Sequence, residues 1–330
     1  MSHTFLANDL EQLCYRVLIS IGSQNDQAEI VAKNLVWNDL IGRHSQGVWR
    51  LSILAKRLAQ QLINPNPVIK FEQQSASLLK CDGDNSFGQY VGHKAMMKAI
   101  EIAGQQGLAM VAIRHSNYFG SGAYYVNLAT KQNMLAIAMS NSFPKVRAFG
   151  GDQSVLGTNP LAFGAPRENS HDLLVDMATS SQAGSTVRKA KEKGCNQADT
   201  PLEPLGGAKG YALALMVEIF SGIITGSGFS HQVKSMYDCF EDKGNNGHFF
   251  LTLNIKHLMP IRSYYCRLEE LISLLKTSSS NPNSQILVPG EIRWKNFLEN
   301  KKNGISLDDD DVVTLKRCLE EYGVTLDSNI

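Results

Sequence analysis

The chain has 330 residues, of which 19% are charged and 43% are hydrophobic, and its formal net charge is +1. This balance argues against a nucleic-acid-binding protein, which needs a concentrated basic face to displace counterions. With 27 glycines, 10 prolines and no internal period, the composition also excludes fibrous, collagen-like and disordered classes. The length suits a large core in two domains or one elaborated domain, and the low charged fraction hints at an oligomer.

The N-terminal segment lacks a cationic start followed by an unbroken apolar run, so it does not resemble a signal peptide. The best candidate for a membrane span, residues 211–224, is interrupted by Glu218 and Ser221. The six cysteines are scattered without a C-x-x-C pair, which indicates free thiols rather than a disulfide framework or a zinc site. We therefore expect a cytoplasmic protein that binds neither membrane nor nucleic acid.

Apolar residues at helical spacing predict three helices in the first 63 residues. They cover residues 9–21, residues 27–41, and a segment that begins near Val48 and ends before the turn at 64–67 (NPNP).

From residue 76, short β-like segments alternate with helical ones. The predicted strands cover 77–81, 108–113, 135–139, 161–163 and 173–177, and the predicted helices between them cover 91–105 and 121–131. Because these strands lack a polar face, the pattern indicates an α/β fold with a sheet covered on both sides.

The remaining segments are less regular. They comprise a polar loop at 179–205, an apolar helix at 208–225, a strand at 249–255, a helix at 259–276, a flexible segment at 277–284 and a last helix before Gly323. Four aspartates at 308–311 precede this last helix, where negative charge complements the helix dipole. A metal site at these aspartates, or at Asp82 and Asp84, is a further hypothesis for metal analysis.

Two segments resemble known binding motifs but lack residues that those motifs require. Residues 82–86 (DGDNS) resemble the start of an EF-hand loop, but Phe87 stands where glycine is required and His93 where glutamate is required. Residues 120–122 (GSG) resemble a Rossmann turn, but Tyr125 occupies the third glycine position. The chain therefore fits neither a calcium loop nor a Rossmann dehydrogenase.

Residues 39–50 (DLIGRHSQGVWR) join the end of one predicted helix to the start of the next. Backbone amides and a hydroxyl would converge there near a guanidinium, so Arg50 could bind a carboxylate through two hydrogen bonds. The alternative is that Ser45 caps the third helix and Arg50 lies at the surface. The chemistry of the segment alone favours this plainer alternative.

Further polar turns follow predicted strands, where ligands bind in α/β sheets. Residues 114–120 (RHSNYFG) follow one strand, and glycines and hydroxyls recur at 150–160 and 176–180. Residues 206–210 (GGAKG) open the apolar helix, which places Lys209 beside its positive end, a combination suited to a phosphate. Each turn taken alone is equally well explained as a structural feature.

In this order, the segments resemble the type-2 malate/L-lactate dehydrogenase family. The matching segments cover nearly the whole chain; they read DLIGRHSQGVWR, RHSNYFGSGAYY, FGGDQSVLGTNPLAFGAP, DMATSSQA, PLGGAKGYALALMVE, QVKSMYD and VPGE.

The resemblance implies a homodimer with a non-Rossmann, dinucleotide-binding domain on a mixed sheet at residues 76–258. Residues 1–75 with 259–330 would form a helical domain. It also implies NAD or NADP as cofactor and a small 2-oxo or 2-hydroxy carboxylate as substrate. By position, Arg50 would hold the substrate carboxylate beside Ser45 and Gln46. The cofactor contacts implied are Ser140, Asp176, Met177, Ala178, Thr179, Ser180, Lys209, Gly210, Pro289, Gly290 and Glu291.

The chain departs from the family at the positions of two active-site histidines, which are Gln46 and Tyr118 here. A Gly-Lys pair of the family is replaced by Ser185-Thr186, and the segment leading to PLGGAKG is shorter. Reduction of a carbonyl requires a proton donor. Gln46 cannot titrate, so we expect Tyr118 to supply the proton, with His115 or His44 assisting. The alternative is a non-catalytic homologue that keeps the fold and dinucleotide binding.

Overall fold

The computed structural model describes residues 2–184, 188, 200–279, 281 and 285–325. Residues 185 and 186, and most of the segment 179–205, lie outside this part of the chain. The helices are α1 (Ala7–Ser20), α2 (Asn25–Leu40), α3 (Leu51–Ala59), α4 (Gly88–Gln106), α5 (Gly122–Thr130), α6 (Ala208–Glu218), α7 (Ile261–Lys276), α8 (Glu291–Asn303) and α9 (Asp309–Glu321).

The strands are β1 (Ser2–Phe5), β2 (Lys70–Gln73), β3 (Leu78–Asp82), β4 (Leu108–Ser116), β5 (Met134–Ser140), β6 (Val146–Arg147), β7 (Ser154–Leu156), β8 (Leu161–Ala165), β9 (Leu173–Met177), β10 (Asn246–Asn254) and β11 (Ile305–Asp308). Within the described residues, seven of them form one sheet in the order β2-β3-β4-β10-β5-β8-β9. The β3–β4 pair is parallel and the other pairs are antiparallel. The predicted α/β fold with a mixed sheet is confirmed.

The N- and C-terminal segments share one apolar core. Residues such as Leu10, Leu35 and Leu54 pack with Leu315 and Leu319 of α9. Strand β1 also pairs with β11, more than 300 residues later, so the two chain ends are joined by backbone hydrogen bonds. This arrangement agrees with the expected helical part.

A second core lies between the sheet and helices α4 and α5, and it includes Val111, Ala136 and Phe250. Helix α7 makes polar contacts with the sheet part of the protein. Glu269 of α7 accepts two hydrogen bonds of 2.7 Å from Arg167, and the Tyr265 hydroxyl of α7 donates to Asn133. The domain bounds drawn from the sequence stay a prediction.

The opposite face of the sheet is only partly covered. A small cluster of Met139, Val217 and Phe249 forms where α6 lies over the strands. Helix α6 continues as a π-helical turn at Ile219–Ile223, and its outward side exposes apolar residues at every fourth position. Leu215, Ile219 and Ile223 are 41%, 46% and 53% exposed.

Several element boundaries follow from capping. Gly107 ends α4 with a left-handed φ of 83°, a conformation that glycine adopts without strain. The Asp308 side chain accepts a hydrogen bond of 2.8 Å from the Asp311 backbone amide, which confirms the expected acidic start of the last helix. Helix α8 was not expected, because its sequence is strongly polar apart from Trp294 and its neighbours.

Among the described residues, none of the helices has the length and apolar character needed to cross a membrane. The same part of the chain contains no cluster of three or more His, Cys, Asp or Glu side chains arranged to hold a metal ion.

Candidate active site

A cavity of about 320 Å³ lies where the helical part meets the ends of β5, β8 and β9. It brings together the turn before α3, the turn after β4, and the ends of β5 and β9. Of the residues expected from the sequence, its described lining includes Ser45, Gln46, Arg50, Tyr118, Ser140, Asp176, Met177 and Ala178. The structure therefore unites the expected substrate residues with part of the expected cofactor set.

The turn that carries Gln46 is anchored on a buried carboxylate. Asp39, at the end of α2, accepts a hydrogen bond of 2.7 Å from the Val48 amide and contacts the His44 ring at 2.9 Å. Burial raises the pKa of Asp39, while the His44 and Val48 hydrogen bonds oppose that shift. A Cβ at Gly47 would overlap the Asp39 carboxyl group, so glycine is required there.

Arg50 is 4% exposed and sits among three aromatic rings. Its guanidinium carbon lies 4.4 Å from the centroid of the Trp49 ring, 5.2 Å from that of Tyr118 and 5.3 Å from that of Tyr237. Its Nε donates to the Ser45 carbonyl at 2.8 Å. Helix α3 begins at Leu51, so Ser45 lies too early to cap it. The plainer interpretation, with Ser45 as a cap and Arg50 at the surface, is wrong.

Tyr118 and Gln46 form a pair at the cavity wall, with the tyrosine hydroxyl donating to the amide oxygen. Burial raises the pKa of Tyr118 above its ordinary value, against the opposing charge and hydrogen bond of Arg50. The Tyr118 hydroxyl is therefore protonated at neutral pH and lies beside a fixed positive charge.

The side chain of Asp176, which lies near the end of β9, packs at the N-terminus of α5. Its Oδ2 accepts hydrogen bonds from the Ser121 hydroxyl at 2.8 Å and the Ala123 amide at 3.2 Å. Arg293 of α8 donates to the Asp176 backbone carbonyl at 2.9 Å. The helix end that follows the GSG segment is thus filled by the chain's own carboxylate, where a Rossmann fold binds phosphate.

Two expected catalytic histidines lie elsewhere. His44 is held by Asp39, and the His115 ring contacts Asp82 at 2.9 Å with an exposed side chain. His115 has a left-handed φ of 49°, and it lines a separate surface cleft beside Asp82. The described lining of the cavity includes neither histidine.

The other expected cofactor residues flank β9 without lining the cavity. The buried Thr179 hydroxyl donates to the Thr158 carbonyl, and that of Ser180 donates to the Gln182 carbonyl. The Leu205 amide donates to the Thr179 carbonyl at 2.9 Å, which ties the turn before Lys209 to this segment.

Lys209 is exposed and Gly210 is buried at the start of α6. At the start of α8, Pro289 accepts a hydrogen bond from the Leu174 amide at 3.2 Å, Gly290 has a left-handed φ of 105°, and Glu291 pairs with Lys276.

Sequence reasoning missed much of the cavity wall. The additional lining residues include Arg43, Asn141, Ser142, Phe143, Lys145, Thr158, Lys234, Met236 and Tyr237. Five of them lie in segments that carry the family resemblance, namely Arg43 in DLIGRHSQGVWR, Thr158 in FGGDQSVLGTNPLAFGAP, and Lys234, Met236 and Tyr237 in QVKSMYD. For Lys145, which lies 4.8 Å from the Phe143 ring centroid, no sequence signal was present.

The fold is shared with a solved dehydrogenase. The structure of malate dehydrogenase from Pyrococcus horikoshii OT3 superposes with a TM-score of 0.92 and 32% sequence identity, covering 98% of this chain and 97% of that one.

Sequence comparison identifies the family. The model of the malate/L-lactate dehydrogenase family matches residues 5–199 and 196–316. Malate dehydrogenase from Pyrococcus abyssi is 37% identical over 88% of this chain and 86% of its own length. Ureidoglycolate dehydrogenase (NAD(+)) from Escherichia coli O157:H7 is 31% identical over 91% of this chain and 91% of its own length. The chain belongs to the malate/L-lactate dehydrogenase family, whose named relatives are oxidoreductases.

Proposed function

We propose that the chain is an NAD(P)-dependent oxidoreductase that interconverts a small 2-oxo acid and its 2-hydroxy acid. One observation carries the proposal, namely that the buried guanidinium of Arg50 lies beside the Tyr118–Gln46 pair in a single cavity. A carboxylate bound to Arg50 would place its neighbouring carbonyl close to a group that can donate a proton.

Arg50 is the proposed substrate clamp. A guanidinium binds a carboxylate through two parallel hydrogen bonds, and its enclosure by aromatic rings strengthens that attraction by excluding water. Malate and ureidoglycolate, named in the relatives, both carry a hydroxyl on the carbon next to a carboxylate. Arg43 and Lys145 also line the cavity, so a second acidic group on the substrate would meet positive charge.

Tyr118 is the proposed proton donor. In the reduction direction its hydroxyl, which is protonated at neutral pH, protonates the oxygen of the 2-oxo acid. The positive charge of Arg50 then stabilises the tyrosinate. Gln46 accepts from Tyr118 through its oxygen and, after rotation of its amide, can donate an N–H to the tyrosinate. His44 and His115 are not needed for this step.

Other residues of the cavity lining fit a nicotinamide dinucleotide, which supplies a hydride to the carbonyl carbon when bound. Ser140, Asn141, Ser142 and Thr158 line the cavity, and their hydroxyl and amide groups suit ribose and carboxamide. Met177 and Ala178 line it as well, and Lys209 with residues 289–291 would reach more distant parts. The choice between NAD and NADP is left to direct binding of each.

The test is a pair of variants assayed against a panel of 2-oxo acids with NADH and NADPH. Tyr118→Phe keeps the ring beside Arg50 and removes the proton, so kcat should fall by roughly 10²–10⁴-fold with little change in KM. Arg50→Gln should instead raise the KM for the 2-oxo acid. Turnover by the unmodified chain no greater than background across the panel would refute the proposal.

One observation favours a second candidate, a homologue that binds dinucleotide without turnover. Neither Gln46 nor Tyr118 titrates near neutral pH, since the pKa of Tyr118 is raised by burial. The reversions Gln46→His and Tyr118→His discriminate the two. Activity that rises from nothing supports this candidate, whereas loss of an existing activity supports the native pair.

We also propose a homodimer in the cytoplasm. The apolar stripe of Leu215, Ile219 and Ile223 lies on the half-covered face of the sheet, and the same face on a second copy would be self-complementary. Ile223→Glu should yield a monomer in light scattering, whereas Ile223→Val should not. The described cysteines are free thiols, which suits a reducing compartment, and fractionation of cells tests the location.

A further inference from the structure

His248 is not part of the described cavity lining, although it joins two of the site's segments. It sits on β10 directly opposite Ser140 of β5 and is fully buried. Its Nδ1 lies 2.8 Å from the Ser140 hydroxyl and its Nε2 lies 2.8 Å from the Ser116 hydroxyl. The ring stacks on Phe119, with centroids 4.8 Å apart and planes within 9°.

The neighbouring acceptors give this chain of hydrogen bonds a direction. Besides His248, the acceptor near the Ser116 hydroxyl is the Asn117 carbonyl at 3.5 Å, too long for a good bond. Ser140 instead has the Asn141 carbonyl at 3.0 Å, and the Gly247 carbonyl lies farther away at 3.4 Å. The best-satisfied arrangement therefore has Ser116 donating to Nε2, Nδ1–H donating to Ser140, and Ser140 donating to Asn141.

The charge state of the ring agrees with this direction. Burial lowers the pKa of His248 to about 3, although the carbonyls of Asn117 and Gly247 oppose that shift. The ring is therefore neutral across the physiological range and carries a single proton, which has to reside on one of the two nitrogens.

We propose that His248 is a positioning residue that fixes the Ser140 hydroxyl as a hydrogen-bond acceptor toward the cavity. In this arrangement the Ser140 hydroxyl donates its proton to the Asn141 carbonyl and accepts a hydrogen bond from His248 with one lone pair. Its second lone pair can then accept a hydrogen bond from a ligand. This wall therefore selects a ligand group that donates an N–H or O–H. The inference rests on the proposed function for the identity of that ligand, a nicotinamide dinucleotide, whose carboxamide N–H or ribose O–H would be the donor.

The first test needs no ligand. In ¹⁵N-histidine-labelled protein, the His248 signals are assigned by their loss in His248→Asn. The proposal expects an Nδ1-protonated neutral ring that does not titrate between about pH 5 and pH 8. An Nε2-protonated ring, or one that titrates in that interval, would overturn it.

The second test pairs cofactor analogues with variants, and dissociation constants are measured by fluorescence titration. The 3-acetylpyridine analogue lacks the carboxamide N–H, and a deoxyribose analogue lacks a hydroxyl. The unmodified chain should prefer the natural dinucleotide by roughly fivefold over whichever analogue lacks the donor. Ser140→Ala should abolish that preference.

Variants of His248 separate positioning from structural support. His248→Phe keeps the stacking on Phe119 but removes the N–H that holds the Ser140 hydroxyl in its orientation, so the hydroxyl can rotate and the ratio of the two dissociation constants should fall toward one. His248→Asn restores an N–H near the Nδ1 position and should recover the preference. Equal weakening of all dinucleotides, or an unchanged preference in both variants, would contradict the proposal. If the unmodified chain binds no dinucleotide, the proposed function fails instead, and the ¹⁵N measurement still decides the role of His248.

Discussion

The turn that carries Gln46 and Arg50 depends on the absence of a side chain at Gly47. An alanine there would place its Cβ over the Asp39 carboxyl group, which is buried and bound to the Val48 amide at 2.7 Å. Gly47 has φ −88° and ψ −150°, an extended conformation. The penalty of Gly47→Ala is therefore steric and does not come from the backbone.

Two contributions determine its size. Forcing an extra methyl into a filled site costs about 1–3 kcal/mol. Displacing Asp39 from Val48 removes a hydrogen bond to a charged acceptor, which contributes about 1.5–3 kcal/mol. We therefore expect Gly47→Ala to destabilise the protein by roughly 2.5–6 kcal/mol, with a fall in Tm on the order of 10 °C. Because the turn carries Arg50, the KM for the 2-oxo acid should rise as well.

A double-mutant cycle with Asp39→Ala tests the cause. Denaturant unfolding is measured for the unmodified chain, both single variants and the double variant. If overlap with Asp39 is responsible, Gly47→Ala should cost less than about 1 kcal/mol once the carboxylate is gone. A full and additive penalty in the Asp39→Ala background would show that the reasoning is wrong.

Three further predictions follow from the site and its frame. His44→Gln and His115→Gln should each change kcat by less than about threefold, because neither ring is part of the described cavity lining and each is held by an aspartate. A loss of roughly 100-fold in either variant would restore that histidine as the proton donor. Because the pKa of Tyr118 is raised, the protonated form needed for reduction persists through neutral pH, and the reduction rate should stay flat from pH 6 to pH 9. The oxidation rate should instead rise with pH, because oxidation needs the deprotonated form. An inflection near the ordinary histidine pKa would contradict Tyr118 as the donor. Asp308→Ala should cost about 1 kcal/mol in thermal unfolding through loss of the α9 cap, and Asp308→Asn, which can still cap, should not.

Much of the fold could be predicted from periodicity, and the exceptions have physical causes. Helix α1 buries Leu10, Leu13 and Val17 on one face, which produces a clear helical spacing. Helix α8 is polar apart from a few apolar residues, and it is held by the packing of Trp294 on the sheet core and by the hydrogen bond of Arg293 to the Asp176 carbonyl. No local pattern encodes such tertiary contacts.

In the candidate site, too, local sequence patterns could be predicted and tertiary contacts could not. The chemistry of residues 39–50 alone favoured a surface position for Arg50, and this was wrong because the burial of Arg50 depends on Tyr118 and Tyr237, which are distant in sequence. His115 was expected near Tyr118 because it is three residues away. Its left-handed backbone directs it to Asp82 instead, and adjacency in the sequence does not reveal that turn.

The position of β10 in the sheet has a consequence for biosynthesis. This strand spans Asn246–Asn254 and lies between β4 and β5, which end at Ser116 and Ser140. A nascent chain therefore carries β4 and β5 for more than 100 residues of synthesis before the strand that pairs with both emerges. During that interval both strands expose unpaired edges, and edge strands promote association between chains. Chains truncated before residue 246 should aggregate, whereas the full chain closes its sheet in one late, long-range step that slows folding.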